Sequence, residues 1–95
     1  MEDSIENNSL TDQLCEALSR VKSPKEAKSF LRDLCTISEI KSMSERFEVA
    51  KQVQEGIPYR QINKNTGVST ATITRVAYWL HHGEGGYLAL LNQMH

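Results

Sequence analysis

Ninety-five residues with 11 basic and 12 acidic side chains, a net charge of -1 and 39% hydrophobic content set narrow limits. They suffice for one small domain with a thin core, and chains of this size gain by burying more surface in a partner. No run of about 18 apolar residues can span a membrane, no charged start before an apolar stretch marks export, and two cysteines are too few for a disulfide scaffold.

The first eight residues, MEDSIENN, are acidic and polar and are expected to form a disordered tail. Ser9 to Asp12 fits a capping-box spacing and opens a helix with Leu10, Leu14, Leu18 and Val21 on one stripe. Ser23-Pro24-Lys25-Glu26 repeats the start signal more strongly, with an N-cap serine, a proline at the first helical position and an acid three residues on. Ala27, Phe30, Leu31, Leu34 and Cys35 make that helix's apolar face. Cys15 and Cys35 lie beside leucines in these patterns and read as reduced, buried thiols of a cytoplasmic protein. Thr36 to Glu39 gives a third capping box and opens the longest helix. Ile40, Met43, Phe47, Ala50 and Val53 form its buried face, and Gly56 closes it.

From Pro58 to Leu80 two short helices flank a tight turn at Asn65-Thr66-Gly67. Pro58 suits a first helical turn, Gly67 permits the left-handed reversal, and Ser69 offers an N-cap hydroxyl to the second helix. Ile62, Val68, Ile73 and Val76 fall where a helix-turn-helix tucks side chains between its helices. Ser69, Thr70, Ala71, Thr74 and Arg75 remain for the outer face of the second helix, and small hydroxylated residues suit a helix lying against base edges. His81 to Gly86 breaks the pattern, and Tyr87 to Leu91 begins a last short helix. The expectation is an all-α chain of six helices, with residues 9–95 as one helical domain and the helix-turn-helix at 58–80.

Charge sharpens this reading. Eleven of the acids lie at or before Glu55 and the twelfth is Glu84. Between Gly56 and Gly83 stand Arg60, Lys64 and Arg75 and no acid, a local +3 of the kind that meets phosphates. The plainer alternative is a helical hairpin with a polar surface. The first two helices and the last are short and marginal alone, so their leucine faces need cover. A two-fold dimer would supply it and set two recognition helices about 34 Å apart; an intramolecular bundle is the other solution.

Other motifs carry little. Ser38-Glu39-Ile40-Lys41 matches S-x-x-K without the supporting motifs of an acyl-transfer enzyme. No strand precedes Gly83-Glu84-Gly85-Gly86, and adjacent His81 and His82 point apart on a helix. No metal site and no catalytic cluster emerges, which argues against an enzyme.

The segment Thr36 to Gln54, the turn at Gly56 and the stretch Gly67 to Arg75, with its ATITR word, resemble the Trp repressor superfamily, and its YerC/YecD-type branch in particular. The resemblance runs from about Leu10 to Leu91, by pattern more than by letter in the N-terminal helices. It implies an intertwined all-α homodimer acting on double-stranded operator DNA as a sequence-specific regulator, a repressor rather than an activator. The Trp repressor is itself a type example of helix-turn-helix docking, so the half-site spacing given for the dimer is the general geometry of that class. Base-reading positions fall on Thr70, Ala71 and Thr74, and phosphate contacts near Arg60 and Asn63, with Lys64, Ser69 and Arg75 beside them. The competing reading is a helical protein–protein interaction module without DNA affinity.

The family's ligand pocket maps onto Thr36, Arg46, Thr72 and Arg75. Two letters depart from it: Trp79 stands at the serine position and Val76 at the glycine after the second arginine. The turn joining the long helix to the hairpin is also one residue shorter. Thr72, Arg75 and Trp79 share a helical stripe, and stacking of Arg75 on the indole is worth about 0.5–1 kcal/mol when exposed. Trp79 is thus expected either to fill the place of a free tryptophan or to pack in the core or the dimer interface. Both leave no room for a free indole and give a regulator that does not respond to it. No cofactor is called for, with a small-molecule co-repressor left open.

Overall fold

The computed structural model describes residues 8–94, and within them the chain forms six α-helices and no strand. These are α1 (Ser9–Ser19), α2 (Pro24–Leu34), α3 (Ile37–Gln54), α4 (Tyr59–Thr66), α5 (Thr70–His82) and α6 (Gly86–Gln93). The expected disordered tail at 1–8 lies outside the described residues except for Asn8. Contacts divide the chain into two units, one ending at Ile37 and one beginning at Ser38.

In the N-terminal unit the caps act as the letters demand, with one shift. Asn8, not Ser9, is the N-cap of α1, and its Oδ1 accepts from the backbone N–H of Leu10 at 2.9 Å and of Thr11 at 3.1 Å. Asparagine caps as well as serine, and capping one residue earlier adds Ser9 to the helix. Ser23 accepts from the Glu26 N–H at 3.1 Å ahead of Pro24, while the Glu26 carboxylate reaches back to the Lys22 N–H at 2.7 Å. Neither helix buries a residue. Leu10 is 73% exposed and Leu18 45%, Cys15 is exposed, and Cys35 is half-buried. The expectation of two buried thiols therefore fails, because every residue of α1 except Thr11 is exposed and Cys35 is only partly covered at the end of α2.

The C-terminal unit holds the core. Val49 and Ala50 of α3, Ile62 of α4, Val68 of the turn, Ile73, Val76 and Leu80 of α5, and Leu91 of α6 are buried together, flanked by Phe47, Val53, Ile57 and Tyr87. Ile62, Ile73 and Val49 are the largest fully buried side chains, and such a residue contributes roughly 1.5–3 kcal/mol. The expected α3 face is only partly used. Ile40 and Met43 are half-buried and lie outside the core, which engages only the last turns of that helix.

Gly56, at φ +81°, ends α3. Its N–H donates to the Val53 carbonyl, and the Ile57 N–H donates to the Gln52 carbonyl, the paired bonds of a Schellman stop. Pro58 sits one residue before the expected helical position, as the N-cap of α4. Its ψ of 144° is still extended, while its carbonyl already accepts from Gln61 and Ile62.

Candidate nucleic-acid interface

The hairpin of α4 and α5 is held by polar side chains around one left-handed residue. Gly67, at φ +77°, donates its N–H to the Asn63 carbonyl at 2.8 Å. The Thr66 hydroxyl donates to the Ile62 carbonyl at 2.7 Å and accepts the Val68 N–H at 3.1 Å. Across the turn, the Asn63 side-chain amide donates to the Val68 carbonyl at 2.7 Å. Ser69 then caps α5, accepting from the Thr72 N–H at 3.2 Å. Beneath this frame, Ile62, Val68, Ile73 and Val76 are buried, so every apolar position assigned to the inside of the hairpin is inside.

The outer face follows from the inner one. Ser69, Thr70, Ala71, Thr74 and Arg75 are exposed, as are Arg60 and Lys64 on α4. With no acid between Gly56 and Gly83, this surface offers three cations and several hydroxyls to an anionic partner. Asn63 stands apart from the other candidates. It is half-buried, and its amide already holds the turn, so its part is to shape the hairpin.

The candidate pocket residues separate. Arg46, Thr72 and Arg75 line one cavity of about 350 Å³, joined by Ser42, Glu45, Gly67, Val68 and Ser69. Its wall is mostly polar, and among the described residues neither guanidinium has an ion-pair partner. Thr36 belongs to the other unit. Trp79 lines a different groove of about 440 Å³ with Phe47, Gly83, Glu84, Gly86, Tyr87 and Leu90. There Phe47 and Tyr87 stack with ring centroids 6.4 Å apart, and Trp79 meets Tyr78 edge-on at 5.3 Å. Apolar walls attract an indole more than the weak pull of an exposed guanidinium. Trp79 and Arg75, which share a stripe of α5, thus line different cavities.

Sequence reasoning missed the Glu45 carboxylate beside Arg46, the Phe47–Tyr87 groove and a chain of amides joining α3 to α4. The first had a signal in adjacent opposite charges; the others join residues far apart in sequence. Among the described residues no three His, Cys, Asp or Glu side chains could hold a metal ion, and no helix is long and apolar enough to cross a membrane.

Comparison with known proteins fits this geometry. The model of the Trp repressor protein family matches residues 9–95. The YerC protein of Bacillus subtilis is 42% identical over 83 residues, spanning 87% of this chain and 80% of its own length. A crystal structure of a TrpR-like protein from Eubacterium eligens superposes with a TM-score of 0.87 at 42% identity, covering 93% of this chain and 91% of that one. A candidate Trp repressor from Staphylococcus aureus superposes with a TM-score of 0.88 at 37% identity, covering 98% and 95%.

Proposed function

This chain belongs to the Trp repressor family, a family of transcription regulators and not of enzymes, and from that premise we propose that it is a homodimeric, sequence-specific DNA-binding repressor. The observation that carries the reading is the acid-free outer face of the hairpin. Thr70, Ala71 and Thr74 read base edges there, while Arg60, Lys64 and Arg75 meet phosphates, with Ser69 at the start of α5 beside them. Hydroxyls bond to several base edges, directly or through water, so these letters do not spell an operator.

The dimer is supported by the N-terminal unit. Its two amphipathic helices fully bury no residue and leave Leu10, Leu18 and Leu34 exposed, and helices this short owe their stability to packing. We further propose that DNA binding does not require tryptophan. Supporting this are the polar wall around Arg46 and Arg75, the buried Val76 at the family's glycine position, and Trp79 at its serine position.

The test is selection of bound fragments from a genomic DNA library at two salt concentrations without added metabolites. Enrichment of a near-palindromic site that weakens as salt rises is expected. No enrichment at either salt, with or without L-tryptophan, would favour the protein-interaction module instead.

A further inference from the structure

We propose that Gln52 is a positioning residue for DNA binding: through a relay of side-chain amides it fixes the rotation of α4 on α3, and so the placement of Arg60 and Lys64 against the phosphates. The proposal rests on the DNA-binding reading above. Among the described residues Gln52 is the one buried polar side chain, at 8% exposure. Its Nε2 donates to the Glu48 carboxylate at 2.7 Å, and its Oε1 accepts from the Asn65 amide at 2.9 Å. Asn65 in turn accepts from Gln61 Nε2 at 2.7 Å. Every amide in the series donates in one direction, towards the carboxylate of Glu48. Reversing Gln52 would set its oxygen against that carboxylate, so the polarity of the relay follows from its terminus. Bonds in such a chain polarise and strengthen one another.

The relay supplies what packing does not. α4 is eight residues long and buries only Ile62, so apolar packing defines its rotation less tightly than that of α5, which buries four residues. Asn63 and Thr66 lock α4 to the turn that starts α5, so the hairpin moves as a piece. Beside the core that the hairpin shares with α3, Gln52 adds the directional bonds between them. Gln61 and Asn65, which carry the relay on α4, directly follow Arg60 and Lys64 in sequence. On a helix this sets each cation about 100° from its relay neighbour. Any rotation that breaks the relay therefore swings both cations.

The experiment compares full-length Gln52→Leu with wild type on the selected operator, measuring affinity against salt alongside thermal unfolding. Leucine keeps the buried volume, and the Asn65 amide it strands is exposed and hydrates. The expected result is a folded protein of near wild-type midpoint, an affinity lower by about tenfold, and a salt slope shallower by about 1 to 2 per protomer as phosphate contacts are lost. A merely structural role would lower the midpoint and leave the slope of the folded fraction unchanged. Rescue gives a second readout. Gln52→Glu alone opposes two carboxylates and should weaken binding, whereas Gln52→Glu with Glu48→Gln rebuilds the relay with donor and acceptor exchanged and should restore affinity. Wild-type affinity and slope in Gln52→Leu would overturn the proposal while leaving DNA binding intact. Wild-type protein that binds no DNA at any salt would overturn the DNA-binding reading, and this one with it.

Discussion

The two units of the chain use apolar residues in opposite ways. Up to Ile37, α1 and α2 start at well-made caps and carry clean apolar stripes, yet bury no residue. From Ser38 onward the helices carry a less regular pattern, yet Val49, Ala50, Ile62, Ile73, Val76, Leu80 and Leu91 close into one core. A cap is settled by a few neighbouring atoms, whereas burial depends on what another segment brings to the face. An apolar stripe left exposed, as Leu10 and Leu18 are on α1, is available for another chain.

This contrast can be broken most severely in the core. Ile73→Ala empties a fully buried site on the recognition helix, and is expected to cost about 2–5 kcal/mol in urea unfolding, enough to threaten a domain this small. An equal loss from Leu14→Ala, measured at a concentration where the protein is monomeric, would mean that the N-terminal unit is no different. Next, Leu10→Ser with Leu18→Ser should leave helicity nearly intact while raising the dimer dissociation constant by about tenfold or more, read by sedimentation at several concentrations. An unchanged dissociation constant would place the association elsewhere. Of similar size is Gly83→Ala at the end of α5. A Cβ there would run into the backbone carbonyl of Trp79, which already accepts the Gly83 N–H at 2.9 Å. A loss of about 1–3 kcal/mol is expected, since the obstruction is main chain and cannot swing aside. A neutral effect would show that the end of α5 frays without consequence for the core.

Much of the fold was legible because it is written in short-range chemistry. Ser23-Pro24, the Gly56 stop, Gly67 and Ser69 all do what their letters suggest, and the slips at Ser9 and Pro58 are of one residue each, the first because Asn8 caps as well as Ser9. The outer face of the hairpin was legible for a related reason: the inward positions 62, 68, 73 and 76 leave only one surface for the rest. What stayed hidden depends on where a side chain turns once its neighbours arrive. Asn63 looked free to reach a phosphate until the turn brought the Val68 carbonyl within reach of its amide. Trp79 shares a stripe with Arg75, but the groove beside Phe47 and Tyr87, forty residues apart, gave the indole another place. Gln52 and Asn65, thirteen residues apart, have no local pattern that pairs them.

The most direct measurement is the dependence of affinity on salt for a palindromic site recovered by selection. Arg60, Lys64 and Arg75 in each of two protomers should give a slope of log affinity against log salt near -5, at about 0.9 for each neutralised phosphate, and added L-tryptophan should not move it. A slope near zero, or affinity that appears only with tryptophan, would contradict the reading of the hairpin as a ligand-independent DNA-binding face.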